Sequence, residues 1–392
     1  METAMGGGTK AGKMKTAAEK QPSSMACIKF WVVVISIMLL ILWVCAMQLA
    51  TLDGKIMVPK SAFFSPYSFP PQRVYKSNGY LIISTNGGLN QKRLGVLPRI
   101  QKRGVLLFAQ TDARLANNGL PEELQRLRCR VNYKALGFTR LIEETGRKIV
   151  DVLREKGPFL ALHLRYEKDV LAFTGCKKGL TKEEAAEVKQ MRYSHDGWTH
   201  KPIDWKKKQE RGSCPLTPED TALVLQALGI DNTTTIYIAA GEIYNKERRL
   251  ADLAAAYPNL ASKQTILRPE ELEPFMEHAD QMAALDYIVA IESDVFVPTF
   301  VGNMDKAVEG HRRYLGFKTT ISLDRKLLFG LIDQYKNGTL LWDEFSLLVK
   351  KIHEDRRGKP AKRRENPDHP RQEDNFYSNP YECLPPFAST FN

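Results

Sequence analysis

Hydrophobic residues fall along the chain in two kinds of run. The first is a single long block, Phe30 to Met47 (FWVVVISIMLLILWVCAM), which carries no charge and only Ser36 as a polar residue. At about 1.5 Å of rise per residue, that block with its flanks spans roughly 30 Å of hydrocarbon. The second kind is a series of short, nearly continuous apolar stretches: YLIIST from Tyr80, VLLFAQ from Val105, FLALHLR from Phe159, TIYIAAGE from Thr235 and YIVAIESD from Tyr287. Each predicts a strand of a parallel sheet covered on both faces. Helical patterns lie between them. Pro121-Glu-Glu opens one, and apolar residues recur at helical spacing from Leu141 to Leu153. Thr181-Lys-Glu-Glu is a capping box, and Thr217-Pro-Glu-Asp is a looser one. Strands alternating with helices predict an α/β architecture on parallel sheets, and no internal repeat interrupts the pattern.

The long block predicts a retained signal anchor. A cleaved signal has a shorter apolar core ending at small residues, whereas this core is bulky and has Trp31 and Trp43 near its two ends. Lys10, Lys13, Lys15, Lys20 and Lys29 precede it, and Asp53, Lys55 and Lys60 follow with little net charge. The positive-inside rule then makes residues 1–29 a cytosolic tail and residues 30–50 a transmembrane signal anchor, with the body exported. Residues 51–76, rich in Pro, Phe, Ser and Tyr, read as a stem. The remainder of the 392 residues suffices for two ordinary domains or one large one.

Charge and cysteines refine this picture. The net charge is +12, concentrated in the N-terminal tail and in a run from Lys350 to Arg364. Neither region interleaves aromatic residues with its charges, and export removes the usual nucleic-acid partners, so none is expected. The charged, proline-bearing stretch from Arg356 to Asp374 is expected to be disordered. Of six cysteines, Cys27 and Cys45 lie in or beside the span. Cys129, Cys176, Cys214 and Cys383 remain in the body, where one or two disulfides are expected and three complete pairings are open. No C-x-x-C occurs, so structural zinc is not expected. Asn232-Thr-Thr and Asn337-Gly-Thr fit the N-glycosylation pattern.

Three segments have the makings of a binding site. Ser84-Thr-Asn86-Gly87-Gly88-Leu-Asn90-Gln91 follows the first strand, where adjacent glycines admit a ligand to the backbone and two amide side chains suit a sugar or nucleotide. Ala161-Leu-His163-Leu-Arg165-Tyr-Glu167-Lys-Asp169 ends another strand. Alternation puts His163 and Arg165 on one face near its C-terminal end, the edge at which open α/β sheets bind ligands. The Arg165 fork matches phosphate oxygens, although a structural pairing with Glu167 or Asp169 fits equally well. In Ile291-Glu-Ser293-Asp294-Val-Phe-Val-Pro298-Thr299, a strand is expected to turn into a helix, with Ser293 or Asp294 as N-cap and Pro298 in the first turn. G-x-S-x-G, H-E-x-x-H and the kinase motifs are absent, as is a D-x-D triplet. His278, His311 and His353 lack metal spacing, and no metal site is expected.

In this order, these segments resemble the plant O-fucosyltransferase-like family of glycosyltransferases, including its rhamnogalacturonan rhamnosyltransferase branch. NGYLIISTNGGLNQ, TDARLANNGLPEELQRLRCRVNY, ALHLRYEKDVLAFTGC, CPLTPED, IYIAAGEIY, the block from Gln281 to Ile321 and the terminal NFYSNPYECL all look like family blocks, covering most of the chain from about residue 73. The resemblance implies a GT-B-type fold, two Rossmann-like domains facing a cleft, in a type II Golgi membrane protein. Residues 77–157 would form the N-terminal domain, 158–355 the donor-binding domain, and 356–392 a charged tail with the terminal NPYECL segment. The resemblance further implies inverting, metal-independent transfer of a deoxyhexose, fucose from GDP-fucose or rhamnose from UDP-rhamnose, to a cell-wall polysaccharide or glycoprotein. Arg165 matches the family arginine that stabilises the departing phosphates, with His163 beside it. Asn86, Gly87, Gly88, Asn90, Gln91, Ser293 and Asp294 would line the donor site. For the acceptor base, Glu167 and Asp169 are nearby carboxylates, and Asp169 is the candidate.

One departure stands out. In relatives the stretch before the TDARLANNG block is much longer, whereas here only Lys92 to Gly104 separates Gln91 from the strand at Val105. A strand of the usual N-terminal sheet and its flanking helices are therefore expected to be missing, which removes part of the acceptor side of a cleft. A membrane-anchored scaffold for other transferases is the alternative that this shortening raises.

Overall fold

The structure is a computed structural model that describes Met38, residues 80–85 and 105–111, and most of residues 121–381. The predicted anchor (apart from Met38), the stem, the loop holding Asn86, Gly87, Gly88, Asn90 and Gln91, and Cys383 lie outside the described residues. Among those described, no helix is long and apolar enough to cross a membrane. The chain divides into two compact units, Met1–Val74 and Tyr75–Asn392, and the architecture below belongs to the second.

Strands β1 (Tyr80–Thr85) and β2 (Val105–Thr111) form a parallel pair, with Tyr80 opposite Val105 and Ile83 opposite Phe108. A second sheet holds β3 (Phe159–His163), β4 (Thr235–Ala239), β5 (Leu260–Ala261), β6 (Val295–Pro298) and β7 (Thr319–Thr320). Its order is β5-β4-β3-β6-β7, parallel throughout. The chain thus begins at the centre, winds outward through β4 and β5, and returns to wind the other way through β6 and β7. Strand order reverses between β3 and β6, the topological switch point of a doubly wound sheet.

Helices precede and follow the strands in the rhythm that the alternating pattern predicts. In chain order they are α1 (Glu122–Arg130), α2 (Arg140–Glu155), α3 (Lys168–Thr174), α4 (Lys182–Ser194), α5 (Trp205–Glu210), α6 (Pro218–Ala227), α7 (Lys246–Arg249) and α8 (Ala251–Ala256). Then come α9 (Lys263–Ile266), α10 (Pro269–Met276), α11 (Ala279–Glu292), α12 (Asn303–Tyr314), α13 (Arg325–Lys336) and α14 (Trp342–Ile352). Their starts are specified locally. Thr181 accepts from the Glu184 amide at 3.2 Å while Glu184 accepts from the Thr181 amide at 2.8 Å, and Thr217 accepts from the Asp220 amide at 3.0 Å.

Both faces of the sheet are buried, which is why its strands read as uninterrupted apolar runs. Leu160, Leu162, Ile236, Ile238 and Val297 pack on one side with α3, α6, α8, α13 and α14. Phe159, Tyr237 and Ala239 pack on the other with α2, α10 and α11, and Ala161 and Phe296 join α11 and α12 there. The α2 and α11 axes approach closely at Gly146, where a Cβ would fall 2.6 Å from Ile288 Cδ1.

The structure corrects two expectations. Tyr287–Glu292 is the end of α11, not a strand, and the strand is Val295–Pro298. Helix α11 is buried through Ala284, Leu285, Tyr287, Val289, Ala290 and Ile291, so its run carries no polar face to mark helical period. Ser293 is accordingly the C-cap of α11, and Pro298 closes β6 instead of opening a helix. Parts of the charged stretch after residue 355 also pack against the body. Arg356 pairs with Asp324 at 2.5 Å, and Arg363 is buried with its guanidinium 5.1 Å from the centre of the Phe376 ring. Long arginine stems over aromatic rings bury surface that composition counts as solvated.

Cys176 and Cys214 form a disulfide, and Cys129 is disulfide-bonded as well. The first bond links the end of α3 to the loop before α6. Asn232 and Asn337 are both exposed, as glycan acceptors must be.

Candidate active site

The parallel register brings the C-terminal ends of β3 and β6 side by side, with His163 opposite Pro298. Thr299 joins them. Its amide donates to the His163 carbonyl at 3.0 Å, and its hydroxyl donates to the same carbonyl at 3.1 Å while accepting from the Arg165 amide at 3.1 Å. One residue after β6 therefore fixes the backbone of the His163-Leu164-Arg165 turn. Leu164 and Tyr166 point into the core with Leu160 and Leu162. His163 and Arg165 have the opposite parity, as the alternation predicted.

Arg165 is about one-third exposed, and its Nη1 donates to Glu167 Oε1 at 3.0 Å. Glu167 is nine-tenths buried and also accepts from the Gly241 amide at 3.3 Å, which anchors the pair to the turn after β4. Its Oε2 is buried without a hydrogen-bond partner among the described residues. Among the described residues the Nε and Nη2 of Arg165 have no protein acceptor, so two donors of a permanent cation remain available to a ligand. Both pairings anticipated for Arg165, ligand and Glu167, are thus compatible with one geometry.

His163 is buried, and its Nδ1 bonds Asp305 Oδ1, on the first turn of α12. Asp305 Oδ2 accepts from the Gly302 amide at 2.6 Å. Burial disfavours the charged imidazole, but the Asp305 carboxylate outweighs it and holds the His163 pKa above its ordinary value. A second guanidinium comes from α13: Arg325 donates to the Gly212 carbonyl at 2.9 Å and lies 5.3 Å from the centre of the Phe300 ring. Burial pulls its pKa down, against the attraction of Asp305. The switch point thus collects two arginines and an imidazolium-favouring histidine against Glu167 and Asp305.

Other predicted residues lie elsewhere. Asp169 is exposed on the first turn of α3, where its carboxylate accepts from the Val170 amide at 2.8 Å, and it does not meet Arg165. Ser293 and Asp294 precede β6, at the sheet edge opposite His163, and both have structural partners. Asp294 Oδ2 accepts from Arg154 at 2.6 Å and from the Phe159 amide at 2.8 Å. Ser293 is buried, and its hydroxyl and carbonyl accept from Arg312 Nη1 at 3.0 and 2.7 Å. Sequence reasoning missed Thr299, Asp305 and Arg325. Asp305 left only the signal of an acidic residue in the first turn of a helix. A cavity of about 430 Å³ among α6, α8 and α13, lined in part by Glu219, Gln226, Asp252 and Tyr335, includes none of the switch-point residues. Among the described residues no group of three or more His, Cys, Asp or Glu side chains is placed to hold a metal ion.

Comparison with known proteins gives this edge its context. The family model for GDP-fucose protein O-fucosyltransferase matches residues 91–315. The chain is 45% identical to a rhamnogalacturonan I rhamnosyltransferase 1 of Arabidopsis thaliana over 402 positions, covering 81% of this chain and 79% of the relative. That match is longer than the part of this chain it takes in, so the relative carries residues inside the matched span that this chain does not. Identity is 53% to rhamnogalacturonan I rhamnosyltransferase 4 (74% of this chain, 60% of the relative) and 48% to O-fucosyltransferase 38 (71% and 55%), both of Arabidopsis thaliana. The chain thus spans little more than half the length of the latter two. No solved structure matches. With more than half its residues in one family model and such relatives across most of its length, the chain belongs to the GDP-fucose protein O-fucosyltransferase family of glycosyltransferases.

Proposed function

We propose that this protein transfers a deoxyhexose from a nucleotide sugar to a cell-wall glycan in the Golgi lumen, with inversion and without a metal. The observation that carries the proposal is Arg165 at the switch point, clamped by Glu167 on one nitrogen with two donors left over. Transfer through an oxocarbenium-like state leaves negative charge on the departing nucleotide diphosphate. A fixed guanidinium stabilises that charge without reorganising at the moment of reaction. His163, held toward its charged form by the Asp305 carboxylate that pairs with it, lies beside Arg165 at the same edge, and Arg325 brings a second guanidinium from α13. The five-stranded sheet serves as the donor-binding half of a GT-B-type pair of Rossmann-like domains. Strands β1 and β2 belong to the other, shortened half, from which the residues present only in the relative are missing.

Rhamnose from UDP-rhamnose is the favoured donor, because a relative named as a rhamnogalacturonan I rhamnosyltransferase reaches 53% identity against 48% for O-fucosyltransferase 38. The acceptor would then be a pectic oligosaccharide. A panel of UDP-rhamnose and GDP-fucose, each with and without a pectin oligosaccharide, tests this through nucleotide release by the purified full chain. Acceptor-dependent release of UDP is expected. Release of GDP alone would reassign the donor to fucose. A folded protein that binds neither donor would instead fit a membrane-anchored scaffold for other transferases.

A further inference from the structure

Among the described residues, helix α14 presents an outward face with no partner. Leu347 at its middle is 68% exposed, and Leu341 and Trp342 at its start are 70% and 38% exposed. Around Leu347 the charges are arranged symmetrically. Asp343 and Glu344 lie four and three residues before it, and Lys350 and Lys351 lie three and four residues after it. All four are exposed. At about 100° per residue, each falls within roughly 60° of Leu347 around the helix axis, so one face runs acid, leucine, base. Asp343, Lys350 and Lys351 make no ion pair within the chain among the described residues, and the Glu344 carboxylate caps only the Leu341 amide, at 3.3 Å. Beside this face, α13 and α14 leave an apolar groove of about 300 Å³ whose lining includes Leu327, Gly330, Leu331, Leu348 and Ile352.

We propose that this face is a two-fold interface with a second copy of the same chain. The charges on this face are complementary to themselves under a two-fold rotation. A two-fold axis beside Leu347 sets two α14 helices antiparallel and places Leu347 against its own copy. Asp343 of each chain then meets Lys350 of the other, and Glu344 meets Lys351, giving four opposite-sign pairs around an apolar centre. An isologous contact requires a patch to be its own complement, and acid–leucine–base at these spacings meets that requirement. A parallel arrangement would oppose like charges and is disfavoured. Leu341, Trp342 and the rim of the neighbouring groove extend the apolar area at both ends.

Charge reversal tests the symmetry itself. Full-length chains carrying two different epitope tags are co-expressed and one tag is captured in mild detergent. The Lys350→Glu, Lys351→Glu chain makes the whole face acidic, and the Asp343→Lys, Glu344→Lys chain makes it basic. Each is expected to lose self-capture by about tenfold or more. Co-expressed with each other, the acidic and basic chains are expected to recover capture to at least the wild-type level, because all four pairs are then opposite in sign. A second readout does not depend on the charge variants folding. Leu347→Cys is expected to give an oxidant-dependent dimer on non-reducing gels, while Glu144→Cys on α2 is not. The proposal is overturned if the wild-type chain does not capture itself, if reversed chains capture themselves like wild type, if mixing them restores nothing, or if Leu347→Cys cross-links no better than Glu144→Cys.

Discussion

The Asp305 carboxylate bonds His163 from across the sheet's switch point, tying the start of α12 to the end of β3. Its other oxygen holds the Gly302 amide at 2.6 Å, so one side chain both caps a helix and orients the imidazole beside Arg165. A carboxylate behind a histidine fixes which nitrogen carries the proton and favours the charged form.

That relationship gives stability a pH dependence of known sign. The His163 pKa in the folded protein is raised, because Asp305 outweighs the opposing effect of burial. The pair therefore stabilises the fold fully below the unfolded histidine value of about 6.5, and the contribution fades as pH rises through the folded value. Asp305→Asn keeps the side chain's size and its bond to Gly302 but removes the charge. The gap in melting temperature between wild type and Asp305→Asn is expected to be wider at about pH 6 than at about pH 9. A gap independent of pH would contradict the assignment of the ion pair.

Arg312 is expected to be a stability residue. Its fully buried guanidinium donates to the carbonyls of Ala290, Ile291, Ser293, Asp294 and Thr319 and to the hydroxyls of Ser293 and Thr320. Arg312→Leu leaves these acceptors unpaired at the end of α11 and is expected to cost about 3–5 kcal/mol, read by denaturant unfolding.

Asp294→Ala separates a structural role from a donor-binding one. Losing the Arg154 and Phe159 contacts is expected to lower stability by about 1–2 kcal/mol while leaving the affinity for UDP or GDP within about twofold of wild type. A large loss of nucleotide affinity with an intact fold would return Ser293 and Asp294 to the donor site.

The Cys176–Cys214 bond closes a loop with a sequence separation of 38 residues. Chain-entropy arguments give such a loop about 3–4 kcal/mol. Cys176→Ser with Cys214→Ser is therefore expected to lower the melting temperature by roughly 10 °C in calorimetry.

The sequence made the sheet's centre legible and its margins obscure, for physical reasons. Strands β3 and β4 are five residues each and buried on both faces, so they appear as unbroken apolar runs. Strands β5 and β7 are two residues each, too short to carry a period. Strand β6 follows closely on a helix buried all round, and the helix took its place in the pattern. The same logic divides the site. His163 and Arg165 interrupt an apolar run at spacing two, which marks one face of a strand end. Thr299 and Asp305 lie more than 130 residues further on and meet them because strand order reverses between β3 and β6, and Arg325 comes from still further along the chain. Nothing local distinguishes Asp305 from an ordinary acidic residue in a helix's first turn.

The central claim rests on Arg165, and the most direct measurement is acceptor-dependent nucleotide release by Arg165→Ala against wild type. Removing a preformed donor to a developing anion typically lowers turnover by about 10²–10³-fold. A loss of that order is expected for Arg165→Ala in a chain that still folds and is exported, with a lowered melting temperature because the buried Glu167 carboxylate loses its partner. Near-normal turnover by a folded Arg165→Ala chain would contradict the claim.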